Sequence, residues 1–235
     1  MIFIAKVCAI VPAYNEEKTI GEVVRRLKKT LPEDEVVVID DGSKDKTAEL
    51  AKKAGAVVIV HDKNKGKAIG VITGLNYAKK ISASAVVVID ADMQYSPEQA
   101  RKVLNPIEKS EADFVMGNRD FSKVPFRHSL GNFVLRTAFN LFFKTKFSDT
   151  NCGLIAFGKK SFDVAKEVYE GYYGGYLIEP AMLIEGLRMG LKIKNVPVEV
   201  SYYRVSNVAR GTRMVLGLLI YILKRGISYR LHGWK

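Results

Sequence analysis

The first half of the chain alternates apolar runs with amphipathic patterns, and this alternation restricts the possible folds most strongly. The apolar runs, rich in Val and Ile, are typical of strands and lie at 7–11, 36–39, 56–60, 85–89 and 113–117. Between them, apolar residues recur every three or four positions, as in a helix. Strands that alternate with helices pair in parallel through right-handed crossovers. The sequence therefore predicts an α/β fold, a Rossmann-like three-layer α/β/α sandwich with a mostly parallel central sheet.

Two carboxylates and an amide follow the fourth predicted strand. Asp90 and Asp92 are one residue apart, so they point the same way if the backbone is still extended, and Gln94 adds another oxygen. Hard oxygens held close together suit a divalent cation that keeps some waters and also binds phosphate. The other interpretation is that one Asp caps the next helix and the other is solvated. The position after a core strand favours the metal.

The loops after the other predicted strands also carry polar or aromatic side chains. The carboxyl ends of parallel strands meet at one edge of a sheet, which is where open α/β sheets bind ligands. Besides the residues just named, the side chains expected at this edge are Tyr14, Glu16, Asp41, Lys67 and Arg119. Their convergence predicts one ligand site.

The net charge of +12 is unevenly distributed. Residues 121–148 and 200–235 contain Lys and Arg but no Asp or Glu. Localised positive charge attracts nucleic acid, anionic lipid headgroups or phosphorylated substrates. We expect no nucleic-acid partner, because the chain has no basic helix with a readable polar face and no aromatic RNA-binding motif. A lipid phosphate fits better, since the positive charge borders long apolar runs.

Two apolar segments predict helices of an unusual kind. Around 129–143 the helix surface is apolar except for one narrow polar stripe, formed by Asn132, Arg136, Asn140 and Lys144. The run 214–223 is apolar and is flanked by Lys and Arg. Both are shorter than the roughly 20 residues that span a bilayer, so the membrane interpretation is a helix in the interface with its charges directed to headgroups. The alternative is that the helices pack on each other or across a dimer interface.

Cysteine placement and the start of the chain bear on the cellular compartment. Cys8 lies in the first strand and Cys152 in a distant loop, so we expect no disulfide and a reducing compartment. We also expect no signal peptide, because Met1–Ile4 leads directly into a strand rather than through a basic segment to a cleavage site.

Five motifs resemble, in the same order, those of the family 2 glycosyltransferases with the GT-A fold. They are Val11–Glu16, Val38–Ser43, Asn64–Lys67, Asp90–Gln94 and Gly117–Arg119. Each motif is weak alone, and the combination is specific. Within the family the chain looks most like the polyprenyl-phosphate sugar transferases, the dolichyl-phosphate mannose and glucose synthases, over about residues 5–215. Asp149–Gly153 resembles a segment of the glucose synthase branch, where Gln is usual in place of Asn151.

This resemblance implies roles for individual residues. The nucleoside pocket would be lined by Pro12, Tyr14, Glu16 and Asp41. Lys67 would also bind the nucleotide sugar, its alternative being a solvated side chain at a helix start. Asp90 would lie near the ribose and the metal, and Mg²⁺ or Mn²⁺ would be ligated by Asp90, Asp92 and Gln94. The acceptor phosphate would meet Arg119, Arg127 and Arg204, with Arg210 as a competing assignment.

The implied reaction is inverting transfer of mannose or glucose from GDP-mannose or UDP-glucose to dolichyl or polyprenyl phosphate. A phosphate oxygen is already ionised at pH 7, so orientation and charge balance can suffice, whereas a hydroxyl acceptor needs a base. Glu179 is the acid placed like the general base of the wider family, as a backup base or a ligand of a sugar hydroxyl, and its alternative role is a helix cap. The residues predicted to be catalytic are Asp92, Arg119, Arg127 and Glu179.

The resemblance also implies where the protein works and how its chain is divided. We expect a peripheral protein on the cytoplasmic face of the cell membrane, with a catalytic domain over 1–205 that includes an interface helix at about 129–146. A basic amphipathic membrane-associating helix would occupy 206–235. Two alternatives remain: a family 2 transferase that acts on a glycan or polyol hydroxyl, and a non-catalytic GT-A scaffold that recruits partners to membranes.

Overall fold

The structure, a computed structural model, describes residues 6–123, 126–164, 178–201 and 208–234, without the side chains of 123–128 and 208–214. The described residues form a seven-stranded sheet with the order β3-β2-β1-β4-β6-β5-β7. The strands are β1 (Val7–Ala13), β2 (Glu35–Asp40), β3 (Val57–Val60), β4 (Ala85–Val88), β5 (Phe114–Arg119), β6 (Ile155–Gly158) and β7 (Ile193–Val198). Every neighbouring pair is parallel except the two pairs made by β6. The predicted mostly parallel α/β sheet is confirmed.

The helices connect and cover these strands. They are α1 (Ile20–Thr30), α2 (Thr47–Lys53), α3 (Lys67–Lys80), α4 (Ala100–Glu108), α5 (Phe126–Phe143), α6 (Ile178–Arg188) and α7 (Val208–His232). Helix α3 lies unusually close to β1, because a Cβ added at Gly74 would be 2.4 Å from Cγ2 of Ile10. Glycine is therefore required there for helix and strand to approach, and this close packing fixes α3 over the sheet.

Two strands were not expected from the sequence. The chain appeared to leave the α/β pattern after Arg119, yet β6 inserts antiparallel between β4 and β5, and β7 pairs in parallel with β5 at the sheet edge. Strand β6 has four residues, which is too short to show a period. Strand β7 contains Lys194, Asn195 and Pro197, since an edge strand tolerates polar residues and proline.

Helices α5 and α7 pack against each other. A Cβ added at Gly226 would lie 2.5 Å from Cβ of Phe142, and the rings of Phe143 and Trp234 stack with centroids 5.8 Å apart. The predicted alternative of mutual packing is therefore correct for one face of each helix. No helix in the described ranges is long and apolar enough to cross a membrane.

Three of the four residues of the predicted polar stripe, Asn132, Arg136 and Asn140, face the protein, whereas Lys144 is exposed just beyond the end of α5. Asn140 donates from Nδ2 to the Phe147 carbonyl at 2.9 Å, Arg136 donates to the Ser148 carbonyl at 3.2 Å, and Asn132 donates to Asp149 at 3.0 Å. For these three residues the expectation that the stripe points to headgroups is wrong. They satisfy the backbone and the buried carboxylate of the segment that leads into β6.

The opposite faces of α5 and α7 leave large apolar side chains exposed. We call this set the apolar surface; its members are Leu130, Phe133, Val134, Leu141, Leu216, Ile220, Ile227 and Leu231. Leu218 and Ile222 of α7 are fully buried, so the helix is amphipathic and one side of it belongs to the core. Exposed apolar side chains grouped on one face of a helix are typical of a binding surface.

Candidate active site

The loops at the carboxyl ends of β1 and β2 are joined by hydrogen bonds from backbone N–H groups. Asp41 donates its N–H to the Ala13 carbonyl at 2.8 Å, and Glu16 donates its N–H to Oγ1 of Thr47 at 2.8 Å. The ring of Tyr14 stands out from this edge with 42% of its surface exposed. An exposed ring beside a sheet edge can stack on a nucleobase.

Lys67, at the start of α3, joins two carboxylates from other parts of the chain. Its Nζ lies 2.6 Å from Oδ1 of Asp90 and 2.7 Å from Oε1 of Glu179. Burial alone would lower the pKa of Lys67, but the two carboxylates outweigh it and hold that pKa above its ordinary value. Lys67 is thus a charged bridge in the site, and the alternative of a solvated lysine is wrong.

The segment before β6 packs directly on Asp90. A Cβ added at Gly153 would lie 2.1 Å from Oδ2 of Asp90 and 3.2 Å from Nζ of Lys67. A carboxylate and a backbone come this close only where there is no side chain. The Asp149–Gly153 motif therefore forms one wall of the site.

Asp92 sits in an electrostatically unfavourable position. Burial raises its pKa, and the negative charges of Asp90 and Glu16 raise it further, against a hydrogen bond of 3.0 Å from the N–H of Gln94 to Oδ1. Met93, between Asp92 and Gln94, has a φ of 63°, so the chain turns sharply here. A bound cation would relieve this repulsion.

These residues fit a divalent cation of the hard, oxygen-preferring kind. The described ranges contain no group of three or more His, Cys, Asp or Glu side chains arranged around one point, so a site built wholly from such ligands is absent from them. Asp90, Asp92 and the amide of Gln94 would supply part of a coordination shell. Mg²⁺ characteristically binds through one or two carboxylates, with waters and substrate phosphates completing the shell.

Arg119 makes a different contact from the predicted one. Its Nε donates to Oδ2 of Asp149 at 2.7 Å, and its Nη2 donates to Oδ1 of Asp149 at 3.0 Å and to the Asn151 carbonyl at 2.8 Å. This is the edge of the guanidinium that would bind a phosphate through two parallel hydrogen bonds. The predicted bidentate phosphate contact is therefore not available along that edge.

Asp149 is the partner that sequence reasoning missed, although its motif was recognised. The residue is fully buried, and burial would raise its pKa, but Arg119 and a hydrogen bond from Asn132 hold that pKa below its ordinary value. Asp149 therefore stays ionised and ties β5 to α5. The sequence did offer one signal for this ion pair: Asp149 is an acid that follows a stretch with Lys and Arg but no Asp or Glu.

Asp41 is buried, and its carboxylate is engaged by partners within the protein. It accepts hydrogen bonds from Nδ1 of His61 at 2.8 Å and from the N–H groups of Lys65 at 2.9 Å and Gly66 at 2.7 Å. His61 was not singled out from the sequence, because a lone histidine after a short strand carries no pattern. Among the other predicted residues, Pro12 is half-buried, while Arg204 and the side chains of Arg127 and Arg210 lie outside the described part.

Comparison with known proteins agrees with this arrangement. The family described as Glycosyl transferase family 2 matches residues 8–163, which include β1 to β6 and the residues just described as far as Gly153. The chain belongs to glycosyl transferase family 2. The predicted resemblance is confirmed, and with it the GT-A fold.

Two relatives and one solved structure illustrate the position of this family 2 glycosyltransferase. An uncharacterized protein of Methanocaldococcus jannaschii is 34% identical over 221 residues, covering 92% of this chain and 89% of the relative. The UDP-N-acetylglucosamine–dolichyl-phosphate N-acetylglucosaminyltransferase of Methanococcus voltae is 32% identical, covering 90% and 92%. Glucosyl-3-phosphoglycerate synthase of Mycobacterium tuberculosis, solved with Mn²⁺, UDP-glucose and phosphoglyceric acid, gives a TM-score of 0.77 at 22% identity, covering 94% of this chain and 80% of that one.

Proposed function

We propose that this family 2 glycosyltransferase moves a sugar from a nucleoside diphosphate to a polyprenyl phosphate, with inversion at C1. The observation that carries the proposal is the Asp92 carboxylate, half-buried near Asp90 and Glu16 at the carboxyl end of β4. A cluster of negative charge in this place disfavours a bare phosphate and favours one that arrives with a cation. That requirement is met by a nucleoside diphosphate sugar bound with Mg²⁺ or Mn²⁺.

The cation would be held by Asp92 and Gln94 with Asp90 beside them, and it would offset the charge that develops on the departing diphosphate. Lys67 fixes the orientation of Asp90 through its 2.6 Å contact. The exposed ring of Tyr14 is available to the base. The mycobacterial synthase with a similar fold was solved with Mn²⁺ and UDP-glucose, which supports a metal-dependent site of this kind.

The state of Glu179 favours a phosphate acceptor over a hydroxyl. Its carboxylate is 10% exposed and is engaged by Lys67 at 2.7 Å, so it is poorly placed to take a proton from an incoming hydroxyl. An ionised phosphate oxygen needs orientation rather than deprotonation. Arg127 and Arg204 remain the proposed ligands of the acceptor phosphate, and Arg119 contributes by holding the adjoining segment through Asp149.

The apolar surface of α5 and α7 is proposed to lie on a membrane, where a polyprenyl chain resides. The positive charge of the C-terminal region, which has seven Lys or Arg and no Asp or Glu from Val200 to Lys235, would attract anionic headgroups. We therefore propose a peripheral protein at the cytoplasmic face of the membrane, without a spanning segment among the described helices.

The donor sugar is best sought among UDP-sugars first. The relative from Methanococcus voltae is named for UDP-N-acetylglucosamine, while the motif resemblance suggests mannose or glucose. The test is incubation with radiolabelled UDP-N-acetylglucosamine, UDP-glucose and GDP-mannose, each with polyprenyl phosphate and Mn²⁺. Label in the organic phase for one donor is expected. Label that reaches only water-soluble acceptors, or no release of nucleotide at all, would overturn the proposal.

A further inference from the structure

His61 is a buried histidine that lies outside the predicted site and still contacts two of the elements that form it. It follows β3, and 9% of its surface is exposed. Its Nδ1 lies 2.8 Å from Oδ1 of Asp41, and its Nε2 lies 3.0 Å from Oγ1 of Thr73 on α3. Because a carboxylate only accepts, Nδ1 is the donor to Asp41. The imidazole therefore connects the end of β2 to the second turn of α3.

Asp41, held by His61, in turn binds the backbone of the turn before α3. The same Oδ1 accepts the N–H of Lys65 at 2.9 Å, and Oδ2 accepts the N–H of Gly66 at 2.7 Å. Gly66 has a φ of 89°, a conformation that favours glycine. The turn is also pressed against the end of β2, since a Cβ added at Gly42 would be 2.8 Å from the Lys63 carbonyl carbon. Asp41 is thus the acceptor around which the turn is folded.

The turn determines where Lys67 lies. As the first residue of α3, Lys67 follows Gly66 directly, and its Nζ reaches Asp90 and Glu179 at 2.6 and 2.7 Å. A shift of the turn by a fraction of an ångström would lengthen both contacts. Reaction rates are sensitive to such shifts, because a misplacement of about 1 Å can cost on the order of a hundredfold in rate.

We propose that His61 is a positioning residue for the transfer reaction: through Asp41 it fixes the turn 64–66, and thereby places Lys67 between Asp90 and Glu179. The expected effect on kcat rests on the proposed function, whereas the effect of His61 on the turn rests on the contacts alone. Asp41 would then hold the turn 64–66 in place in addition to any contact with a nucleoside.

The two ring nitrogens allow a matched set of variants. In His61→Asn the side-chain amide can replace Nδ1 and keep the bond to Asp41, while the bond to Thr73 is lost. In His61→Leu both bonds are lost at similar size. Thr73→Val removes only the α3 partner and leaves the bond to Asp41, so it should behave like His61→Asn. Glu49→Gln removes an exposed charge from α2 and serves as the control, because exposed surface substitutions contribute little.

Two readouts are measured on each variant: kcat and KM for the labelled donor, and hydrogen exchange at the amides of Lys65 and Gly66. We expect His61→Leu to lower kcat by about tenfold to a hundredfold, with KM changed by less than about threefold. Exchange at the two amides should be roughly tenfold faster. His61→Asn should restore kcat to within about threefold of wild type and restore protection. A merely space-filling role predicts equal behaviour of Asn and Leu, which would overturn the proposal.

The exchange measurement separates this proposal from the proposed function. If the wild-type protein transfers no sugar, the proposed function fails, and the link is judged by amide exchange alone. Protection of Lys65 and Gly66 that is lost in His61→Leu and kept in His61→Asn supports it. Protection that is the same in all variants, Thr73→Val included, overturns it.

Discussion

The carboxylate of Asp92 is held where its negative charge costs free energy. It is partly buried, it lies near Asp90 and Glu16, and its pKa is raised for these reasons in that order. Replacing the group by a neutral isostere removes the repulsion and keeps the hydrogen bond from the N–H of Gln94. The same replacement removes a predicted metal ligand. Stability and activity should therefore change in opposite directions at this residue.

We predict that Asp92→Asn abolishes sugar transfer and raises the melting temperature of the metal-free protein at pH 7. A gain of 1 kcal/mol corresponds to about 2–4 °C for a protein of this size. The sign follows from the raised pKa: the ionised form is destabilising above that pKa, so the advantage of the variant should shrink as the pH falls through it. A variant that is less stable than wild type at pH 7 would contradict this reading of the site.

Glu179 is the second residue whose replacement tests the site, and its charge is compensated by Lys67. We predict that Glu179→Gln lowers kcat by no more than about tenfold, whereas loss of a general base costs about a hundredfold to ten-thousandfold. Glu185→Gln, which neutralises another buried acid of α6 that pairs with Arg188 and Arg225 instead, is the matched control. A loss of several decades that is specific to Glu179 would favour a hydroxyl acceptor and the alternative reaction.

At the scale of elements, buried polar contacts join segments that are distant in sequence. Asp149 links the loop before β6 to β5 through Arg119 and to α5 through Asn132. Asn195 of β7 donates to the Asp149 carbonyl at 3.1 Å and to the Met116 carbonyl at 3.2 Å. These contacts hold together the part of the molecule in which the strand order departs from a simple alternation.

The lowered pKa of Asp149 gives this junction a pH dependence. A carboxylate whose folded pKa lies below the ordinary 3.8 contributes stability that is present above pH 3.8 and is lost as the pH falls through the folded value. We predict that Asp149→Asn costs about 3–5 kcal/mol at pH 7, because the Arg119 charge is left buried without its partner. Urea unfolding should show the gap to wild type narrowing below pH 3.8. A gap of constant size would mean that the pair does not form.

How far the sequence predicts this fold and site depends on whether a residue acts through local pattern or through distant contact. The first five strands and the oxygen groups at Asp90 and Asp92 follow from apolar runs and their ends, which are local. The partner of Arg119 was not predictable, because 30 residues separate it from Asp149. The inward direction of the α5 stripe depends on the segment 147–149 lying beneath it, which periodicity does not reveal.

On the scale of the whole molecule, the active site and the apolar surface are carried by different parts of one fold. Helices α5 and α7 bury Phe139, Leu218 and Ile222 and expose a set of leucines and isoleucines on their other side. Removing α7 altogether would uncover the core beneath it. The membrane proposal is therefore better tested by changing exposed residues than by truncation.

We predict that the double variant Leu141→Glu and Leu231→Glu loses binding to anionic lipid vesicles by at least about tenfold. Each leucine, 65% and 70% exposed, would bury a side chain worth roughly 1.5–3 kcal/mol in the interface. Unfolding temperature and nucleotide binding should not change, since neither residue is packed. Val60→Glu, at a 59% exposed position on β3, is the control. Equal vesicle binding by the double variant and wild type would remove this surface from the membrane contact.

The central claim is that the end of β4 binds a divalent cation together with the diphosphate of the donor. It is tested most directly by the anomalous signal of manganese in a crystal grown with Mn²⁺ and UDP. We predict one strong peak about 2 Å from a carboxylate oxygen of Asp92, next to Asp90 and in contact with the diphosphate. A peak and a nucleotide bound elsewhere, with the carboxyl end of β4 unoccupied, would contradict it.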